Sequence, residues 1–190
     1  MSVNLNPPEN VPAIKTIRLL THLGALYVMT ASLSAQTASP PATAQPTPLP
    51  PESRQFDFWL GEWDVTTPDG KPAGTSRIES IAGGAGLLEN WQDIDGSSGK
   101  SLNVYNPAKK QWQQFWVGTG GGVLELAGGM VAGHMVLGGE HLAGGKPLLE
   151  KITWRPNVDG SVRQHWEQST DGGKTWTTAF DGLYRRKKQD

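Results

Sequence analysis

From residue 62 to residue 184 the chain is a series of short runs in which apolar and polar residues alternate. In the run 162–168, Trp166 and the other even-numbered residues alternate with Arg163, His165 and Glu167. A period of two residues indicates a β-strand whose two faces meet different surroundings. The runs that fit this pattern are Glu62–Thr67, Gly74–Ala82, Gly86–Ile94, Ser101–Asn106, Gln111–Val117, Val123–Leu126, Met130–Leu137, Leu148–Arg155, Ser161–Gln168 and Thr175–Tyr184.

Residues that favour tight turns separate these runs. They include Pro68-Asp69-Gly70, Asp95-Gly96, Asn106-Pro107, Gly118–Gly122, Gly128-Gly129, Gly138-Gly139, Gly144-Gly145, Asn157–Gly160 and Asp171-Gly172-Gly173. No segment after Gly61 keeps a helical period. The pattern therefore predicts an all-β fold, a single antiparallel up-and-down β-barrel of about ten strands, because closure removes the exposed edges of a sheet.

Alternation also assigns faces within single strands. Trp112, Gln114 and Trp116 should share one face of their strand. In the last strand, the same spacing places Trp176 and Thr178 on one side with Phe180 and Tyr184.

A cluster of aromatic residues, Phe56 to Trp63, precedes the first strand. We expect a short helical turn here, with the rings plugging one end of the barrel. With an even number of strands, the start of the first strand lies beside the end of the last. Arg185 and Arg186 would then reach Trp63, and a guanidinium stacked on that ring would contribute about 1 kcal/mol. The alternative is that residues 185–188 form a solvated basic tail.

Residues 1–35 have the features of a signal peptide. Lys15 and Arg18 precede a mostly apolar run at 19–33, and the small residues Ser34 and Ala35 follow. The run is shorter than the roughly 20 apolar residues that span a bilayer, so a cleaved secretory signal is favoured over an anchor. The predicted location is secreted or periplasmic, with no stable membrane anchor after cleavage; a disordered cytoplasmic tail is the alternative.

Residues 36–55 are rich in Pro, Ala and Thr and predict a disordered linker. The barrel domain is then 56–187. The charges nearly cancel, with 17 basic and 18 acidic residues, and no basic stripe is interleaved with aromatics, so nucleic acid is not an expected partner. The absence of cysteine excludes disulfides, thiol catalysis and thiolate zinc sites.

The chain resembles the calycin group, and within it an uncharacterised bacterial family of secreted lipocalin-like domains. The resemblance rests on Phe56–Trp63, Lys100–Tyr105, Val162–Glu167 and Phe180–Tyr184. It implies a barrel that holds a small, largely apolar or aromatic molecule. Nitrobindin-like barrels continue with further glycines where this chain has Asp64 and Val65, so haem is not an expected ligand, and we predict no cofactor.

The expected cavity is lined by aromatic rings with a few polar groups that orient a ligand. The candidate ligand-binding residues are Glu89, Trp91, Asn103, Tyr105, Gln114, Trp116, Trp154 and Trp166. A structural barrel, filled by its own side chains and presenting its loops to a protein partner, is an alternative. The sequence does not indicate an oligomeric state.

A second alternative is a hydrolase or isomerase. Glu89 lies between apolar residues of one face, and Arg77 on the preceding strand would be the partner that a buried carboxylate needs. Arg163, His165 and Glu167 would form a charged ladder if they pointed inward, but an outward direction is favoured because charged side chains are rarely buried. We predict no catalytic residue.

Two further motifs have structural explanations. Residues 169–176 match an Asp-box, Ser-x-Asp-x-Gly-x-Thr-Trp, whose residues are those that a hairpin turn requires. His134 and His141 would approach each other if Gly138-Gly139 formed a turn, but no spacing typical of metal ligands accompanies them. We therefore predict no metal site.

Overall fold

The computed structural model describes residues 48–188, which form ten antiparallel strands in a closed up-and-down barrel. The predicted fold class is therefore confirmed. The strands are β1 (Gly61–Thr66), β2 (Pro72–Ile81), β3 (Gly86–Asp93), β4 (Ser98–Asn106), β5 (Gln111–Gly118), β6 (Val123–Val131), β7 (His134–Ala143), β8 (Lys146–Pro156), β9 (Val162–Ser169) and β10 (Thr177–Arg186). The expected signal peptide and most of the expected linker lie outside the described residues.

Two short 3-10 helices precede the first strand, at Pro51–Arg54 and Asp57–Trp59, and a third, Ala82–Gly84, joins β2 to β3. The first lies at the end of the segment predicted as linker, and its Ser53 is buried. The second carries the aromatic cluster, as the expected helical turn. Within residues 48–188, none of the helices has the length and apolar character needed to cross a membrane.

The barrel closes where β1 pairs with β10. Val65 faces Tyr184 and Thr66 faces Leu183 in this ladder, and the amide of Lys187 donates to the carbonyl of Glu62 at 2.9 Å. The Arg186 guanidinium lies 4.5 Å from the centroid of the Trp63 ring and donates from Nη1 to the Leu60 carbonyl at 3.0 Å. The predicted stacking on Trp63 is therefore present, and Arg186 is the residue that makes it.

Aromatic rings fill the end of the barrel next to the 3-10 helices, which we call the closed end. Phe56 stacks on Trp59 with centroids 5.0 Å apart, and its ring meets Trp112 and Trp154 edge-on at 5.6 and 5.2 Å. All four rings are completely buried. Aromatic pairs at these distances each contribute about 1 kcal/mol beyond the area they bury, so the second helix is fixed to the barrel by a packed aromatic core.

The predicted turns at Gly128-Gly129 and Gly138-Gly139 are wrong. The chain reverses instead at Ala132-Gly133, where both residues have positive φ, so the expected strand Met130–Leu137 contains the turn. The two glycine pairs lie inside β6 and β7. A Cβ at Gly128 would come 2.1 Å from the Val136 carbonyl oxygen. Glycine is required here because two backbones approach closely, not because the chain turns.

The predicted face of β10 is also wrong in its first half. The pairing of β10 with β9 shifts between Thr178 and Phe180, which marks a β-bulge. Thr178 consequently meets His165 on the outer face, with 2.9 Å between Oγ1 and Nε2, while Phe180 lines the interior. The extra residue, Ala179, reverses the alternation, as bulges do.

We expect Arg186→Ala to destabilise the barrel by about 1–2 kcal/mol, because it removes both the contact with Trp63 and a charged hydrogen bond. The matched control is Arg185→Ala. That guanidinium is exposed; among residues 48–188 it makes one side-chain hydrogen bond, to Thr66 Oγ1 at 3.4 Å, and acts on Asp159 electrostatically at the surface, so its loss should cost less than about 0.5 kcal/mol. Urea unfolding followed by fluorescence measures both. Equal effects of the two substitutions would contradict a specific contribution of Arg186 to the closure of the barrel.

Candidate functional site

A cavity of about 260 Å³ lies in the half of the barrel away from the closed end. Three loops or strand ends surround its entrance, at Ser97-Ser98, Thr119 and Ala179. Its walls are mainly aromatic, with polar side chains on its floor and rim. The lining residues are Glu89, Trp91, Asp93, Ser97, Ser98, Gln114, Trp116, Gly118, Thr119, Leu124, Ile152, Gln164, Trp166, Ala179, Phe180 and Tyr184.

Glycines on the inner face fix the rings near the entrance. A Cβ at Gly118 would lie 2.2 Å from the Trp116 ring, and one at Gly99 would lie 2.7 Å from it. These two glycines face each other across β4 and β5, so the indole lies flat over both backbones. Phe180 lies over Gly182 in the same way, with 2.6 Å to the position of an added Cβ. The rings therefore form walls and do not fill the cavity.

A layer of buried polar side chains forms the floor. The Glu89 carboxylate is 5 % exposed and accepts hydrogen bonds from Ser101 Oγ at 2.8 Å and Ser76 Oγ at 3.3 Å. Asn103 Nδ2 donates to Ser101 Oγ at 2.9 Å, and Gln114 Nε2 donates to Asn103 Oδ1 at 2.8 Å. β2, β3, β4 and β5 each contribute, because alternation turns Ser76, Glu89, Ser101 and Gln114 to the same side. The network holds Glu89 in one orientation.

Burial raises the pKa of the Glu89 carboxyl to about 7, although hydrogen bonds from Ser101 and Ser76 oppose the increase. A carboxyl group is normally ionised at this pH, so Glu89 can bind or release a proton near neutrality. Tyr184 on β10 lies close by, and its hydroxyl donates to Gln164 Oε1 at 2.6 Å. Burial, together with the Glu89 charge, raises the pKa of Tyr184 well above its usual value, so this hydroxyl stays protonated.

Five of the eight expected ligand-binding residues line the cavity: Glu89, Trp91, Gln114, Trp116 and Trp166. Asn103 lies behind them in the polar network. Tyr105 and Trp154 belong to the closed end, where Tyr105 packs on Trp112 and Trp154 on Phe56.

Sequence reasoning missed the other eleven lining residues as ligand contacts, among them Asp93, Gln164, Phe180 and Tyr184. Asp93 could have been found, since it is four residues beyond Glu89 on an uninterrupted strand and so shares its face. Phe180 shares the inner side with Tyr184, as alternation predicted, because the bulge precedes both residues.

The expected ion pair between Glu89 and Arg77 does not form. Arg77 is paired in register with Asn90 and is exposed, and its guanidinium contacts Glu79 at 2.5 Å. Arg77 follows Ser76, which points inward, so strand alternation directs Arg77 outward. Serine hydroxyls replace it as the partners of Glu89. Within residues 48–188, Glu89 has no cationic partner.

Arg163, His165 and Glu167 point outward, as favoured from the sequence. Arg163 Nε donates to Asp181 Oδ1 at 2.8 Å, and Lys151 Nζ lies 2.9 Å from Glu167. The hydrogen bond from Arg163 lowers the pKa of Asp181. These groups form surface ion pairs between neighbouring strands and do not reach the cavity.

The expected approach of His134 and His141 is wrong, because both lie on β7, seven residues apart on one strand. Arg155 Nε donates to His134 Nε2 at 3.2 Å, and His141 Nδ1 lies 3.6 Å from Glu150 Oε1. Across residues 48–188, no three His, Asp or Glu side chains are placed to hold a metal ion.

Glu150 is buried beside the cavity and separated from it by Trp166. Its carboxylate accepts from Trp166 Nε1 at 2.5 Å and from Gln168 Nε2 at 3.1 Å. It borders a second cavity of about 350 Å³. This cavity lies where β6 and β7 separate, past the last residue pair of their ladder, Ala127–Gly138. Glu150 thus fixes one wall of the candidate site from behind.

The Asp-box residues form the loop between β9 and β10. Asp171 accepts hydrogen bonds from the amides of Lys174 and Thr175, both at 2.9 Å, and from Thr175 Oγ1 at 2.6 Å. These bonds lower the pKa of Asp171 to about 2. Trp176 packs under Lys151 Nζ, 4.3 Å from its ring centroid. The motif stabilises a hairpin, as its residues indicate.

No family model matches the chain, and no curated protein does so either.

We expect Glu89→Gln to remove a pH dependence of stability. The folded protein keeps this carboxyl protonated up to about pH 7, whereas an ordinary glutamate releases its proton near pH 4.5. The folded state therefore binds more protons in this interval, and raising the pH destabilises it. The contribution is complete below pH 4.5 and lost as the pH rises through 7, by about 3 kcal/mol in total. Unfolding free energies from pH 4 to pH 8 measure it.

Glu62→Gln is the control for this experiment, since Glu62 is exposed on the outer face of β1. Its pH profile should parallel that of the wild type. If Glu89→Gln also keeps the wild-type slope, the carboxyl does not retain its proton on folding.

Gly118→Ala should displace the Trp116 ring, because the new methyl group would lie 2.2 Å from it. Gly122→Ala is the matched control, since its Cβ would be an ordinary 3.8 Å from the same ring. Fluorine NMR of 5-fluorotryptophan-labelled protein, with the Trp116 signal assigned by Trp116→Phe, measures the displacement. Similar spectra for the two alanine variants would contradict the role of Gly118.

Proposed function

We propose that this protein binds a small, largely apolar molecule in the cavity above Glu89. The observation that carries the proposal is the combination of rigid aromatic walls with a single oriented carboxyl group on the floor. Ligand sites are typically apolar clefts in which a few polar groups fix orientation. The volume of about 260 Å³ is close to the lower end of such sites, roughly 300 Å³, so the ligand is a small one.

The open cavity favours this function over a barrel filled by its own side chains. Trp91, Trp116 and Phe180 stand against the wall over glycines and leave the centre free. The resemblance to secreted lipocalin-like domains agrees with a binding function. The apolar run near the N-terminus supports a secreted or periplasmic location.

A second candidate function, isomerisation by proton transfer, is favoured by Glu89 alone. A carboxyl group with a pKa near the working pH can accept and return a proton efficiently. Recovery of the bound molecule distinguishes the two functions, since a binding protein returns it unchanged and an isomerase returns a rearranged product.

Titration with a panel of small aromatic and aliphatic molecules tests the proposed binding. Trp91, Trp116 and Trp166 line the cavity, so a bound molecule should change the intrinsic fluorescence. Trp116→Ala should weaken binding by about 1 kcal/mol or more, because it removes one aromatic wall. Trp176→Ala is the control, since that ring packs on the outer hairpin. Absence of any response across the panel, or equal losses in both variants, would contradict the proposal.

A further inference from the structure

The charge of the cavity lining limits the kind of molecule that it can accept. Two of the lining side chains are carboxylic acids, Glu89 on the floor and Asp93 at the rim. Within residues 48–188, no lysine, arginine or histidine lines the cavity. An anionic ligand would meet two acids and no cation, which is unfavourable in a site of low polarity.

Of the two acids, Glu89 has the stronger effect on which ligand the cavity accepts. It is 95 % buried and aimed into the cavity, and its two partners are neutral serine hydroxyls. A carboxylate has about four positions that accept hydrogen bonds, so two serines leave it with capacity for a donor from the cavity. A buried carboxylate without a cation is costly, and a positively charged ligand would remove that cost.

The aromatic walls suit the same kind of ligand. Trp91 lies between Glu89 and Asp93 on the inner face of β3, and Trp116 borders the other side of the cavity. The faces of indole rings attract cations through their quadrupole, and tryptophan is the most effective aromatic side chain in this respect. Rings and carboxylates together therefore surround a position suited to an ammonium group.

Resting on the proposed function, we propose that the cavity selects small organic cations, namely amines with an apolar or aromatic body. The ammonium group donates to the Glu89 carboxylate, and the apolar body lies between Trp91, Trp116 and Phe180 toward the entrance. Asp93 attracts the cation at the rim.

The groups that face Glu89 determine how such binding depends on pH. They are Ser76 on β2, Ser101 on β4 and Tyr184 on β10, with Asp93 farther along β3. Ser76, Ser101 and Tyr184 stay uncharged near neutrality, so ionisation of Glu89 itself sets the affinity. Because its pKa is about 7, amine binding should strengthen about tenfold between pH 6 and pH 8.

Calorimetric titration with three probes of the same shape tests the inference: 2-phenylethylamine, 2-phenylethanol and phenylacetate. The amine should bind at least about tenfold more tightly than the other two at pH 8, since a hydrogen bond to a charged group is worth that much. Glu89→Gln should abolish the preference. Glu62→Gln removes the same charge from the outer face and should keep it.

The outcomes separate this inference from the function on which it rests. Equal or tighter binding of the alcohol or of phenylacetate overturns the selection of cations while the cavity remains a binding site. A preference for the amine that survives in Glu89→Gln also overturns it. If none of the three binds, and the wider panel gives no response, both the selection and the proposed function fail.

Discussion

Every part of this fold depends on the pairing of β1 with β10, since that ladder turns an open ten-stranded sheet into a barrel. An open sheet of this length would leave two edges with unpaired amides and carbonyls. The residues where β1 meets β10 also contact the closed end. Trp63 of β1 pairs with Arg186 at the end of β10, and both lie next to the 3-10 helix that carries Trp59. The residues that close the sheet therefore also hold the aromatic plug in place.

The interior divides into three layers along the barrel axis. Aromatic rings pack densely at the closed end, a hydrogen-bonded polar layer follows, and the cavity lies beyond it. The polar layer separates the densely packed core of the closed end from the open cavity. Its side chains come from adjacent strands and hydrogen-bond to one another, and they orient a buried carboxyl group that has no basic partner among residues 48–188. The open cavity exists because the rings beyond this layer stand against the wall.

The fold could be predicted from the sequence because ten alternating runs and tight turns leave few other architectures. Alternation also showed which residues share a face of β3 and β5, since neither strand contains a bulge, but it could not show which face is inside; Glu89, Trp91, Gln114 and Trp116 were expected in the cavity because aromatic and polar residues suit a ligand site. Alternation could not show the bulge at Ala179, and it therefore misplaced the first half of β10. A glycine in the sequence can indicate two different structures, because glycine is needed both in tight turns and where two backbones come into close contact. Gly128 and Gly139 belong to the second kind, so the turn between β6 and β7 was expected in the wrong places.

Gly99 beneath Trp116 and Gly182 beneath Phe180 do not line the recess, yet they set its form. A single methyl group on the sheet would push an indole toward the centre and shrink the space, although every wall residue stayed the same. Related chains could thus acquire different selectivity through changes in the backbone layer alone. Comparisons that consider only the inner surface would overlook the positions that shape it.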